Sequence, residues 1–286
     1  MKKLFSVVLA GVILSSMAAS VSAHWDAESK GDIPAVPAGQ ITIDGQLNEA
    51  VWADALQVQI DQFNTGTEND TRGTAYMLWS VDTWYLFVEV KDADVQVSDP
   101  DIQQNSPWNT DSVEMFFDFG NEHADLVKQF RVDYSGWPSY YEEGGGFYAY
   151  GPDAKPYFGD YAVQIDSDGY NIEMAINVAQ YGLKEGDAIG IQLQINDVTA
   201  ESPTATYAVW NMNQSMGAGS WDGDLYDYVI LGAELKVEEP VVDEPAVDEP
   251  VADAPVTEAP VTADAGIVAA AAVMAVAAGV VLSKKH

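Results

Sequence analysis

The segment Asn105-Ser-Pro-Trp108-Asn-Thr-Asp111-Ser-Val-Glu114-Met-Phe-Phe-Asp118 sets a tryptophan directly before an alternating run. As a strand, it places Val113, Met115 and Phe117 on one face and Glu114, Phe116 and Asp118 on the other. A second alternating run, Lys128-Gln-Phe-Arg131-Val-Asp133-Tyr, follows a short polar connection. The two can pair antiparallel and bring Glu114 near Arg131 on a common face. Trp108 follows a proline, and Trp221 stands in the Gly-rich stretch Met216-Gly-Ala-Gly-Ser-Trp221-Asp-Gly, so both are expected in loops where an aromatic side chain need not be buried. Flat aromatic surfaces beside charged groups suit a ring with apolar faces and a hydroxylated rim.

Carboxylates at such a place also raise the question of hydrolysis. Glu114 and Asp118 are four residues apart on one strand, about 13 Å at roughly 3.3 Å per residue. Glycosidase pairs stand about 5 to 9.5 Å apart, so these two do not form such a pair by themselves, although carboxylates from different strands could. The three histidines, His24, His123 and His286, are too scattered for a metal-protease motif, and no Ser/His/Asp order or phosphate loop is present. Non-catalytic binding is therefore the first reading, a surface glycoside hydrolase or polysaccharide-degradation accessory protein the alternative and a purely structural surface protein the third.

The chain is strongly acidic, with 45 Asp and Glu against 12 Lys and Arg and a net charge of −33. Such a charge repels phosphate backbones and anionic lipid, which excludes nucleic acid as a natural partner and leaves neutral ligands and divalent cations. The acidic turns Asp92-Ala-Asp94 and Asp222-Gly-Asp224 make calcium a candidate, although solvated acidic turns look the same in sequence. Without cysteine, the folded part must hold itself together through its core.

Residues 1–23 combine Lys2 and Lys3, an apolar run and a small-residue end at Val21-Ser-Ala23, the layout of a secretory signal peptide cleaved before His24. Residues 24–236 form the expected single domain. In 237–264, regular proline and like-sign charge predict a disordered, extended stalk. Residues 265–282 are an uncharged Ala/Val-rich run before Lys284 and Lys285, expected as a C-terminal transmembrane helix with a short basic cytoplasmic tail, 283–286. Sortase linkage to the cell wall after Thr262 is the alternative, although Ala259-Pro-Val-Thr-Ala263 departs from the usual Leu-Pro-x-Thr-Gly.

The elements that must position the candidate residues are short strands. Alternation predicts them near 40–44, 56–60, 74–78, 84–90, 111–118, 128–134, 161–165, 170–176, 189–195, 204–210 and 226–230, with Asp166-Ser-Asp-Gly169 as a hairpin turn. Leu47, Val51 and Ala55 are spaced for one or two turns of helix anchored by Trp52. The aromatic stretch from Gly136 to Asp160 reads as a long irregular region, either packed on the domain or extending a binding surface. About ten or eleven strands with one short helix predict an all-β antiparallel β-sandwich, with Trp52, Trp79 and Trp84 in its packed interior.

Five blocks in order carry a family resemblance: Ile43-Asp-Gly-Gln-Leu-Asn-Glu-Ala-Val-Trp52, Leu78-Trp79 with Tyr85-Leu-Phe-Val-Glu-Val-Lys-Asp92, Ser106 to Asp118, Gln129-Phe-Arg131-Val, and Ser220-Trp221-Asp. Together they make the region from about Ile41 to Leu231 resemble family 9 carbohydrate-binding modules. The resemblance implies a β-sandwich that holds sugar between two tryptophans, Trp108 and Trp221, with polar side chains grasping hydroxyls at a chain end of a plant-type polysaccharide or oligosaccharide. Glu114 and Arg131 would be hydrogen-bonding groups and Gln129 their neighbour, and structural Ca2+ is implied as well. Gly217-Ala-Gly-Ser stands where family members can offer an Asn side chain, so ligand choice could differ from that of xylanase-attached modules.

Overall fold

The structure, a computed structural model, describes residues 27–63, 69–96, 99–120, 127–143, 146–210, 223 and 226–236, which all lie in a unit ending at Glu238. The expected signal peptide, stalk and transmembrane helix lie outside the described residues, as does Trp221. Among the described residues, no helix is long and apolar enough to cross a membrane.

Thirteen strands are present among the described residues: β1 (Ser29–Ala35), β2 (Leu56–Ile60), β3 (Arg72–Trp79), β4 (Thr83–Lys91), β5 (Ser112–Asp118), β6 (Lys128–Asp133), β7 (Pro138–Glu142), β8 (Phe147–Tyr150), β9 (Phe158–Asp166), β10 (Gly169–Asn177), β11 (Ala188–Thr199), β12 (Ser202–Val209) and β13 (Asp227–Glu234). A six-residue helix, α1 (Pro100–Asn105), precedes β5. The strands form one hydrogen-bonded path, β8-β7-β6-β5-β11-β13-β1-β3-β4-β10-β9, with β12 beside β11 and β2 beside β3.

The path folds over on itself at a narrow joint. Strand β1 lies along β13 in parallel but meets β3 at a single register pair, Ala35 with Trp79. The Val36 N–H donates to the Trp79 carbonyl, and the Trp79 indole donates to the Gly232 carbonyl at 3.1 Å across the same corner. On either side of this joint the two halves face each other and enclose the main core. Phe117 on β5 meets Trp84 on β4 edge to face at 5.0 Å, and Phe130 on β6 meets Phe158 on β9 at 5.4 Å. This is sandwich packing, with alternate residues of both sheets turned inward.

The structure corrects several expectations. Strand β1 is parallel to both neighbours, so the sheet is not purely antiparallel. Residues 40–44 do not form a strand: the N–H groups of Asp44 and Gly45 donate to the Glu173 carboxylate, each at 2.8 Å, which pins this segment to β10 as a turn. Gly45 has φ +80°, and a Cβ there would come within 3.2 Å of the Gln164 backbone, so the turn requires glycine. The expected helix at 47–55 is a single 3-10 turn, Ala50–Asp54, whose Trp52 and Val51 pack with Val36, Leu78 and Phe87 on the outer face of β3 and β4. The region 136–160 contains the paired strands β7 and β8.

Candidate functional site

Strand β5 owes its place to its two patterns of side chain. Val113, Met115 and Phe117 belong to the main core. The opposite face is also covered, so every β5 residue is buried. Strand β6 pairs with β5 so that Glu114 stands opposite Arg131 and Phe116 opposite Gln129. On the other side, β11 places Gln194 opposite Glu114 and Asn196 opposite Ser112. Directly paired residues share a face, so four polar side chains, Arg131, Gln129, Gln194 and Asn196, converge on one carboxylate.

Glu114 Oε1 accepts from Arg131 Nη1 at 3.0 Å and from Asn196 Nδ2 at 2.6 Å. Its Oε2 accepts from Gln129 Nε2 at 2.6 Å and, more weakly, from Gln194 Nε2 at 3.5 Å. Gln194 also donates to Asn196 Oδ1 at 2.7 Å. Arg131 Nε donates to Ser139 Oγ on β7 at 2.8 Å, leaving Nη2 without an acceptor among the described residues. Glu114 and Arg131 are only 2% and 4% exposed, so breaking this ion pair would strand a charge in a low-dielectric place. Burial pushes the Arg131 guanidinium below its ordinary value, while Glu114 pulls it back up.

With two donors on each oxygen, the Glu114 carboxylate has its full complement. It therefore acts as the anchor that orients Arg131, Gln129 and Asn196, and those groups carry the remaining hydrogen-bonding capacity. Asp133, on the diagonal from Glu114, is similarly occupied by Ser135, Trp137 and Gln103, through four hydrogen bonds. A diagonal spacing of about 7–8 Å falls within the glycosidase range; three of the donors to Asp133 sit on Oδ1 and only Gln103 reaches Oδ2, so both carboxylates are engaged in holding neighbouring groups in place.

Trp108 is 50% exposed, in the loop between α1 and β5. That loop is held at several points. Asp99 caps α1 through the Asp101 N–H, Gln103 ties the helix to Asp133 at 2.6 Å, and Asn109 Oδ1 accepts from the Ala205 N–H on β12. Asp111, at the loop's end, accepts from the N–H groups of Gln96 and Val198 at 2.6 and 2.7 Å.

Asp111 is also part of a buried acidic cluster. One carboxylate oxygen from each of Asp92, Asp111 and Asp197 lies within 4.8 Å of the others, and Asp92 Oδ2 is buried without a hydrogen-bond partner. Burial, reinforced by the neighbouring carboxylates, pushes Asp92 up to about 6 and Asp111 up to about 7, and Asp197 moves in the same direction. Asp92, Asp111 and Asp197, with Asp92 Oδ2 left without a partner, are the residues that could hold a hard cation such as calcium. Asp92 belongs to an acidic turn visible in sequence, whereas Asp111 and Asp197 come from other parts of the chain. The turn at Asp222 lies outside the described residues.

Of the residues expected at the site, the structure brings together Glu114, Arg131 and Gln129 and puts Trp108 in the loop entering β5. Sequence reasoning missed Gln194 and Asn196. Their signal was present: Ile191, Leu193 and Ile195 marked the inner face of a strand, so the amides between them had to share the other face.

Residues 43–231 match the family model described as carbohydrate family 9 binding domain-like. The exoglucanase XynX of Acetivibrio thermocellus is 26% identical over 180 residues, 60% of this chain and 15% of that protein. Endo-1,4-beta-xylanase C of Paenibacillus barcinonensis is 28% identical over 163 residues, 56% of this chain and 13% of that protein. The match thus spans a small part of these curated relatives. Among solved structures, a family 9 carbohydrate-binding module from Caldicellulosiruptor kristjanssonii in complex with cellotriose superposes with a TM-score of 0.56 at 17% identity, over 73% of this chain and all of that one. A putative carbohydrate-binding protein from Bacteroides uniformis gives 0.54 at 11% identity, over 72% and 99%. With residues 43–231, about two thirds of its length, matched by the family model, this chain belongs to the carbohydrate family 9 binding domain-like family.

Proposed function

We propose that this domain binds neutral carbohydrate without cleaving it. The observation that carries the reading is the buried Glu114 network, which fixes a guanidinium and several amides on one sheet face beside the loop bearing a half-exposed tryptophan. Hydroxyl groups can accept from Arg131 and exchange bonds with the amides, while the indole of Trp108 covers an apolar C–H face. In this reading Trp221 supplies the second wall of the sandwich. Pre-ordering of the donors by Glu114 lowers the entropy lost when ligand arrives.

Non-catalytic action is favoured by the four donors that hold Glu114 as an anchor within the sheet. The relatives named as xylanases and exoglucanase are much longer, and the matched module is one part of each; a role beside polysaccharide-degrading enzymes follows for this chain as part of the proposal. Titration calorimetry of the full-length chain with glucose and cello-oligosaccharides, alongside a reducing-sugar assay on cellulose and xylan, tests both halves. Saturable binding without sugar release is expected, and release would instead make the chain a glycosidase.

The proposal includes calcium at Asp92, Asp111 and Asp197. A bound cation would neutralise the buried carboxylates and fasten Asp111, three residues after Trp108, so the ion would hold the loop that carries the sugar-stacking residue. It also includes export through residues 1–23 and surface retention by residues 265–282. Detergent extraction of full-length protein is expected; a peptidoglycan-linked form ending at Thr262 would replace the membrane anchor with a wall linkage.

A further inference from the structure

The polar face does not end at Gln129. Register pairs continue it across the hairpin of β7 and β8: Gln129 faces Tyr141, and Tyr141 faces Tyr148. In the adjoining row, Arg131 faces Ser139, and Ser139 faces Tyr150. Because directly paired residues share a face, three tyrosines stand on the same side of the sheet as the Glu114 network. Tyr148 lies two strands beyond Gln129, about 10 Å at the usual strand spacing, which is the span of a disaccharide.

These tyrosines are held as a strip. The rings of Tyr141 and Tyr148 are 4.4 Å apart and tilted by 32°, and those of Tyr148 and Tyr150 are 6.2 Å apart. Tyr148 nevertheless remains 54% exposed. Phe147, its exposed neighbour on the other face of β8, has a packing role against Tyr140 and Tyr157. Tyr148 belongs to none of the core clusters, and its ring contacts are with the two tyrosines of the strip.

We infer that Tyr148, supported by Tyr141 and Tyr150, is a second stacking platform for the units of a neutral glycan chain that continue past the sugar held at the Glu114 network. The inference rests on the sugar-binding reading above and adds that the domain selects chains over single sugars. The occupant follows from continuity with that site and from the chemistry of the strip: phenol rings offer apolar faces and hydroxyls offer hydrogen bonds, while the acidic chain discourages anionic ligands. Stacking that buries on the order of 60 Å² of apolar surface is about tenfold in affinity at roughly 25 cal/mol per Å².

The test is calorimetric titration of the full-length chain with glucose, cellobiose, cellotriose and cellotetraose, for wild type, Tyr148→Ala, Tyr148→Phe and Glu114→Ala. The expected result is a wild-type cellotetraose-to-glucose affinity ratio of about ten or more, reduced toward one in Tyr148→Ala and kept in Tyr148→Phe, with Glu114→Ala weakened for every sugar. A wild-type ratio near one, or a ratio unchanged in Tyr148→Ala, overturns the platform while leaving the sugar site intact. Binding of none of the four sugars by folded wild type overturns the sugar reading, and the platform with it.

Discussion

Replacing Glu114 with glutamine keeps the side chain's shape and removes its charge, at a point where four donors converge. The amide can accept on one oxygen only. Its NH2 group must face either Arg131 and Asn196 or Gln129 and Gln194, so donor meets donor in both orientations. Arg131, 4% exposed, then loses the counter-charge that balances its burial. Breaking a buried ion pair from one side costs about 3–5 kcal/mol. For a domain of this size each kcal/mol is worth about 2–4 °C in Tm, so a fall on the order of 10 °C is expected. Lost orientation of Arg131 should remove at least one charge-assisted bond to ligand, about 1.5–3 kcal/mol, which is roughly 10- to 150-fold in affinity. Thermal melts and cellobiose titrations on the same preparations measure both effects. The variant Arg131→Met in the Glu114→Gln background separates them: removing the stranded charge should recover much of the stability and none of the binding. A Glu114→Gln protein that melts and binds as wild type does would refute the claim that this network organises the site.

Three further expectations concern other groups. Exhaustive chelation should lower Tm and calcium should restore it, because a cation bound only by the folded state stabilises by linkage; Asp111→Asn should abolish the response, and a chelator-insensitive Tm in wild type would dismiss the cation site. Burial holds Glu173 up at about 7 despite the N–H groups of Asp44 and Gly45, so the native state binds its proton more tightly than the unfolded chain, with its glutamate near 4.3. This group's contribution to stability is therefore full below about pH 4 and falls as pH rises to about 7, by up to about 4 kcal/mol; Glu173→Gln should remove that slope, and parallel pH profiles for the two proteins would exclude it. Trp108→Ala should lose most sugar affinity with little change in Tm, whereas Trp52→Ala, 3% exposed against Phe87, should cost about 3–5 kcal/mol of stability; the reverse pattern in melts and titrations would exchange their roles.

The sequence made the pairing of Glu114 with Arg131 legible because alternation and a short connection specify an antiparallel register with few alternatives. It also exposed the Asp166–Gly169 turn, which links β9 and β10. Strand β1 was hidden because Ser29-Lys-Gly-Asp-Ile-Pro-Ala35 does not alternate and contains a proline, normally a mark against a central strand. The structure explains its tolerance: β1 bonds along β13 but touches β3 only at Ala35, so Pro34 stands where a ladder partner is scarcely required. Strands β7 and β8 were obscured by their short lengths and the glycines between them. Helix α1 announced itself through Asp99-Pro100, an N-cap followed by proline at the first helical position, and that signal was overlooked. The acidic cluster depends on long-range folding, since Asp92, Asp111 and Asp197 meet only after β4, β5 and β11 are assembled.

The position of β13 has a mechanical meaning. The chain leaves this strand at Glu234, on its way to residues 237–286. Strand β13 is gripped on one side by β11 and on the other by β1, so tension along it shears two ladders together instead of peeling one bond at a time. Seven residue pairs then join β11 to β5, the strand that carries Glu114. If the chain is anchored and binds glycan as proposed, load applied by a bound glycan would reach residues 237–286 across two strand seams, β5 to β11 and β11 to β13, without passing through the narrow joint at Ala35 and Trp79. In that reading the half of the sandwich that would grip the ligand is the half that would be pulled, and the other half, joined to it at Ala35 and Trp79, stays outside the loaded path.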